Sequence, residues 1–163
     1  MKLNFGCGHD IKHDFYNVDV IEAKGINKSF NFDKFPYPLP KDKFEYVLLN
    51  QVLEHLIHPR RVLDELWNSC KNNAIIEISV PYVGSKSAYY DLEHKSYFND
   101  RSFYSLCTPN DSNKNFIKKF EIVDQKIISQ RYLKWIPKRI LSFLAVFLNN
   151  IHVQIDVKIK VIK

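Results

Sequence analysis

The residues best placed to do chemistry open the chain. A short apolar strand candidate, Leu3-Asn4-Phe5, runs into Gly6-Cys7-Gly8 and is followed by a second, Tyr16-Asn17-Val18, that ends in Asp19. Glycines directly after a strand let the backbone turn sharply and approach a ligand closely, and an acid at the end of the next strand can accept hydrogen bonds from ribose hydroxyls. The pattern is that of a nucleotide site. It departs from a dinucleotide fingerprint, in which the acid lies about 20 residues past the glycines and a third glycine stands three places after the second. Here Ile11 holds that place and Asp19 follows Gly8 by 11 positions. A nicotinamide-dependent oxidoreductase is disfavoured on both counts.

Two further groups have reactive side chains. Glu54-His55 sets a carboxylate beside an imidazole, but sequence neighbours point to different faces of a helix, so the pair reads as structural. His94 is the better catalytic candidate. It lies beyond Pro81 in a segment with Tyr82, Tyr89 and Tyr90, and an imidazole can take a hydroxyl proton near neutral pH. Cys7-x-His9-x3-His13 and His55-x2-His58 have spacings that zinc can use. A metal on Cys7 and His9 would compete with the backbone of the glycine turn, and no metal is expected. The three cysteines, Cys7, Cys70 and Cys107, are odd in number and scattered, which suits reduced thiols.

In order and spacing these residues resemble the class I S-adenosylmethionine-dependent methyltransferases, in particular a compact type 11-like subgroup with a shortened link between strands one and two. The resemblance is carried also by Asn31-Phe32-Asp33-Lys34-Phe35-Pro36-Tyr37-Pro38, by Phe44-Glu45-Tyr46-Val47 leading to Val52-Leu53-Glu54-His55-Leu56, by Ile76-Glu77-Ile78-Ser79-Val80-Pro81, and by Asp91-Leu92-Glu93-His94 ahead of Phe98 and Phe103. It implies a three-layer Rossmann-like α/β fold, with a sheet that is mostly parallel and a last strand that is antiparallel. The implied cofactor, S-adenosylmethionine, would sit at the C-terminal ends of strands one, two and four. Gly6, Cys7 and Gly8 would cradle its methionine part, Asn4 standing where an acid is usual, and Asp19 would hold the ribose. Asn31 would face the adenine with Phe32 beside it, Asp33 being an alternative in register. Asn50 and Gln51 would stand at the rim near the sulfonium, and His94 would lie in the loop that closes over the acceptor.

By the same resemblance the acceptor is a small molecule or a glycan, methylated on oxygen. Amino-methylating nucleic-acid enzymes of the family often carry Asn/Asp-Pro-Pro-Tyr after strand four, where this chain reads Asn50-Gln51-Val52-Leu53, so a nucleic-acid acceptor is disfavoured. Relatives usually have a helix before strand one, whereas this chain begins at the strand. That departure keeps a non-catalytic S-adenosylmethionine-binding partner subunit, or a homodimer that covers the site, as alternatives.

The elements that must position these residues fit one domain over 1–163, with 45% hydrophobic residues and neither repeat nor linker. Strands are expected over 2–6, 15–19, 28–31, 45–49, 74–80, 119–129 and 151–162. A helix is expected from Pro59 to Lys71, with Val62, Leu63, Leu66 and Trp67 on its apolar face and Asn72-Asn73 as its stop. Alternating strands and helices imply a parallel sheet, and the mixed apolar and polar pattern of the last two strands implies a hairpin-like edge.

No secretory leader opens the sequence, so a cytoplasmic location is expected. The net charge of +6 is concentrated late: residues 114–163 carry 11 Lys+Arg against 3 Asp+Glu, leaving 13 against 15 before them. Between the last two strands lies the apolar stretch from Trp135 to Asn150, with Lys134, Lys138 and Arg139 at one end. It is too short to cross a bilayer. It is expected to pack on the sheet or on a second copy of the chain, the alternative being peripheral contact with a membrane.

Overall fold

The computed structural model describes residues 1–107 and 119–163. Among the described residues seven strands form one sheet in the order β3-β2-β1-β4-β5-β7-β6. In chain order they are β1 (Lys2–Phe5), β2 (Phe15–Asp19), β3 (Lys28–Ser29), β4 (Phe44–Asn50), β5 (Cys70–Pro81), β6 (Lys119–Ser129) and β7 (His152–Ile162). The helices are α1 (Pro59–Ser69), α2 (Lys86–Tyr90), α3 (Tyr104–Cys107) and α4 (Lys138–Phe147). The first five strands pair in parallel, while β7 runs antiparallel to both β5 and β6.

Burial explains which strands lie where. Leu3 and Phe5 of β1, Val47 and Leu49 of β4, and Ile76, Ile78 and Val80 of β5 are fully buried at the centre of the sheet. In β7 the core side is Ile155, Val157, Ile159 and Val161, and the intervening lysines pair across the strands: Lys158 with Glu77 at 2.9 Å and Lys160 with Glu121 at 2.6 Å. The tail of the sheet is thus amphipathic, as its alternating sequence requires.

Helix α1 starts on Pro59 and buries Val62, Leu63 and Leu66, but it ends at Ser69, short of the expected Lys71. Cys70 is already extended and pairs with Phe44, while the next partner of β4, Tyr46, pairs with Ile75. The intervening residues are accommodated in a bulge at whose centre Asn73 takes φ +64°. Asn73, expected as part of the helix stop, thus shapes the strand rather than the helix end.

Chain order reverses at β1: the chain proceeds outward through β2 and β3, then returns to the other side of β1 as β4. Ligands of such sheets bind at that reversal, outside the C-terminal strand ends. Residues 6–14, which join β1 to β2, are too few for a crossover helix. Two buried amides take its place. Asn4 Nδ2 donates to the Asp10 carbonyl at 2.8 Å and to Asn17 Oδ1 at 3.0 Å, and Asn17 in turn bonds the Lys12 amide and carbonyl at 3.1 and 2.9 Å. The loop is held by side chains instead of by a helix.

Candidate active site

The turn after β1 is fixed from two sides. The Gly6 and Cys7 amides both donate to the Val18 carbonyl, at 2.9 and 3.1 Å, and Gly6 has φ +72°. A Cβ on Gly6 would lie 2.5 Å from Val52 Cγ2, so the close approach of β1 and the segment after β4 requires a glycine there. At Gly8 a Cβ would meet nothing within 4 Å, leaving open space beside the turn.

Asp19, 8% exposed, closes the other side. Its Oδ2 accepts the Gly8 amide at 2.6 Å, and Oδ1 accepts the amides of Val20 at 2.7 Å and Ile21 at 3.3 Å. A carboxylate accepts about four hydrogen bonds, so this one is oriented by the backbone with capacity left for a ligand. Burial, and then the charge of Asp19, push the Cys7 thiol above its ordinary pKa. That state suits a filler of the bend, not a nucleophile.

A cavity of about 580 Å³ opens at the sheet's reversal point. Of the residues singled out in the sequence, Gly6, Asp19, Phe32 and Gln51 line it; Asn4, Cys7, Gly8, Asn31, Asn50 and His94 do not. Phe32 stacks on Phe5 with ring centroids 4.0 Å apart, and its carbonyl accepts the Tyr37 hydroxyl at 2.7 Å. Gln51 turns the chain at φ +56°, with its amide on the Ser79 carbonyl at 2.9 Å. Asn31 is occupied in a local turn, accepting the Asp33 amide at 2.8 Å. Asp33 accepts the Ile57 amide at 3.0 Å and lies 3.6 Å from Lys95 Nζ, so it fastens the segment after β3 to the far wall.

The far wall was not anticipated. Val52, His55, Leu56, Glu93 and Lys95 complete it together with Val20. The segment Leu53–His55 is a 3₁₀ turn, not the start of a helix, and the Glu54 carbonyl accepts the amides of Lys95 at 2.7 Å and Ser96 at 3.0 Å. The Ser96 hydroxyl adds a bond to the Leu56 carbonyl at 2.8 Å. This stitching brings His94 against the turn, with its ring 4.7 Å from that of His55 at 71°. His94 is nearly buried and its Nδ1 lies 2.9 Å from the Ala88 carbonyl, while His55 reaches the cavity.

Glu54 is 1% exposed, and neither carboxyl oxygen has a hydrogen bond of good geometry among the described residues. Burial pushes this carboxyl up to about 7, opposed in part by its backbone and by His94. The tyrosines of the neighbouring segment stand apart from the cavity walls: Tyr89 stacks on Tyr97 at 5.0 Å, and Tyr90 is exposed. Setting Glu54-His55 aside as a helical signature hid His55. Its only sequence signal was the order strand, Glu-His, then a distant histidine.

A family model described as a methyltransferase domain matches residues 3–114, more than half of the chain and the whole of the cavity. The chain belongs to that family. This methyltransferase is also similar in fold to solved structures: an S-adenosylmethionine-dependent methyltransferase from Archaeoglobus fulgidus, 17% identical with a TM-score of 0.63, covering 98% of this chain and 85% of that one. Another from Mesorhizobium loti is 11% identical, with a TM-score of 0.62 and 98% and 89% of the two chains covered. The [4+2]-cyclase SpnF is 13% identical, with a TM-score of 0.63 and 98% and 74% covered. No curated protein sequence matches. The methyltransferase depends on S-adenosylmethionine, and the mixed seven-stranded sheet is the fold that the sequence implied. Among the described residues no helix is long and apolar enough to cross a membrane.

Proposed function

We propose that this methyltransferase methylates a hydroxyl of a small-molecule or glycan acceptor. The observation that carries the reading is the paired imidazoles, His55 in the wall of the cavity and His94 in contact behind it. A hydroxyl must lose its proton as it is methylated, and histidine is the side chain suited to take it near neutral pH.

Bound here, the cofactor supplies a methyl group already activated on a sulfonium, so the chain's own work is alignment and proton removal. Gly6, Cys7 and Gly8 present backbone to the methionine part, with room beside Gly8 for its approach. Asp19 meets the ribose with the acceptor capacity its three amide bonds leave. Phe32 would border the adenine and Gln51 the sulfonium, while Asn31, Asp33 and Asn50 stand outside the cavity wall. Asn4 acts one step back, holding the loop that shapes the turn. A carbonyl can only accept, so His94 Nδ1 donates to Ala88 and Nε2 is the basic nitrogen of the neutral ring.

A second observation bears on where the acceptor is met. Only Leu141 of α4 is buried, while Ile140, Phe143, Val146 and Phe147 are 50–75% exposed and Trp135 before them is 78% exposed. Arg131, Lys134, Lys138 and Arg139 accompany them with no acidic residue between 131 and 151. An apolar face with basic residues and an exposed Trp fits the surface of an anionic membrane, whereas a second copy of the same patch offers no acid to answer the cations. The helix ends beside the acceptor segment, since the Asn150 amide donates to the Gly84 carbonyl at 2.6 Å. A lipid-linked acceptor is the kind this arrangement would serve.

Incubation with methyl-labelled cofactor and a panel of hydroxylated sugars tests the reading. Product labelled on oxygen, with turnover lowered ~10²–10⁴-fold in His94→Ala at unchanged S-adenosylhomocysteine affinity, supports it. Tight S-adenosylhomocysteine binding without turnover on any acceptor would favour a non-catalytic partner subunit.

A further inference from the structure

The cluster of Glu54, His55 and His94 has a property that proton transfer leaves unused. One donor atom from each lies within 4.8 Å of the others, and both buried carboxyl oxygens of Glu54 are without a hydrogen bond of good geometry among the described residues. A buried carboxyl without a donor is costly, and pairing it with a cation is a common resolution. We propose that these three residues form a divalent transition-cation site at the acceptor edge of the cofactor cavity.

The donor set narrows the ion. Two imidazoles and one carboxylate suit zinc and its neighbours in the first transition row, and not calcium or magnesium, which favour all-oxygen shells. Bonds of about 2.1 Å separate tetrahedral ligands by about 3.4 Å, so the donors must draw in by on the order of 1 Å. The surroundings favour the ligand state. His94 Nδ1 donates to the Ala88 carbonyl, which fixes the tautomer as it is ordinarily fixed in metal-bound imidazoles, and Nε2 lies 3.9 Å from an Asp91 carboxylate oxygen whose charge would also favour a cation here. Main-chain bonds from Lys95 and Ser96 to the Glu54 carbonyl, and the Ser96 hydroxyl's bond to the Leu56 carbonyl, hold both segments in place without using the donor atoms. Three protein ligands leave a position open, and His55 stands in the cavity wall to direct it there.

The site rests on the methyltransferase reading and deepens it. A hydroxyl oxygen bound at the open position would lose its proton to solvent more readily. That oxygen would then form the new C–O bond as the C–S bond breaks, the electron pair leaving on sulfur. With the ion bound the imidazoles would serve as its ligands, and in the ion-free protein they remain the proton acceptors of the proposed reaction.

The test is a titration of untagged, chelator-stripped protein with Co²⁺, followed by visible absorption and reversed with Zn²⁺. One saturating equivalent is expected, with affinity lower by more than the ~10–100-fold that loss of a mere outer-shell partner costs, both in Glu54→Gln, which keeps the buried volume, and in His55→Asn, which alters a residue of the cavity wall. Circular dichroism melts select the folded variants. No saturable site, or wild-type affinity in both folded variants, overturns the proposal. S-adenosylhomocysteine calorimetry on the same sample separates the two readings: cofactor bound without metal sinks only the ion site, and metal bound without cofactor sinks the methyltransferase assignment of the cavity.

Discussion

The Asp19 carboxylate accepts the Gly8 amide at 2.6 Å, so the acid that ends β2 also fixes the turn that ends β1. With Val20 and Ile21 it makes three backbone bonds before any ligand arrives. Asp19→Ala should therefore destabilise the ligand-free protein by about 1–3 kcal/mol, the range for losing hydrogen bonds to a buried charged group. Urea unfolding measures this, and an unchanged midpoint would mean the turn stands without its acid.

Asn4 yields a prediction of opposite sense to its family analogy. Its Nδ2 donates to two acceptors, the Asp10 carbonyl and Asn17 Oδ1, and Asn4 itself is 4% exposed. Asn4→Asp restores the usual acid but sets an acceptor against two acceptors, so it should cost about 2–3 kcal/mol of stability and leave cofactor binding no tighter. A stable, tighter-binding Asn4→Asp protein would show that the amide network is dispensable.

The Asn4 network also marks where sequence reading stopped. Strands were legible because β4 and β5 carry dense apolar runs and β7 alternates, patterns that depend on local order alone. A helix-free link held by Asn4 and Asn17 depends on contacts across 13 positions, which no periodicity records. The same holds for His55 and His94, whose contact is made by main-chain bonds from Lys95 and Ser96 to Glu54. Gly6, Asp19, Phe32 and Gln51 were found because they sit at strand ends; the opposite wall, built on a 3₁₀ turn, carried no such signal. Helix α4 was expected to pack on the sheet or on a second copy of the chain, and within the single chain its apolar face is exposed.

The thiols should be sluggish. Burial pushes Cys70 up to about 12 and Cys107 to about 11, and Cys7 is raised by burial and by Asp19. A raised pKa lowers the thiolate fraction below the pKa, so alkylation of native protein at pH 7.5 should run well below the denatured rate and accelerate as pH rises. Mass-resolved iodoacetamide labelling checks it, and a fast Cys7 would contradict its role as filler.

Helix α4 can be tested with anionic liposomes. Flotation should carry the protein at low salt, and Phe143→Ser with Phe147→Ser should abolish it without lowering the melting temperature, both rings being more than 60% exposed. Protein that stays unfloated and sediments as a dimer would assign this face to a second copy.

The most direct measurement is calorimetry of S-adenosylhomocysteine, and of NAD as control, on wild-type protein and on Asp19→Ala shown to be folded. The cavity at the turn between β1 and β2 predicts one equivalent of S-adenosylhomocysteine, no NAD, and a loss of about 1.5–3 kcal/mol in the variant. Binding of NAD in its place, or a folded Asp19→Ala protein that titrates like wild type, would contradict it.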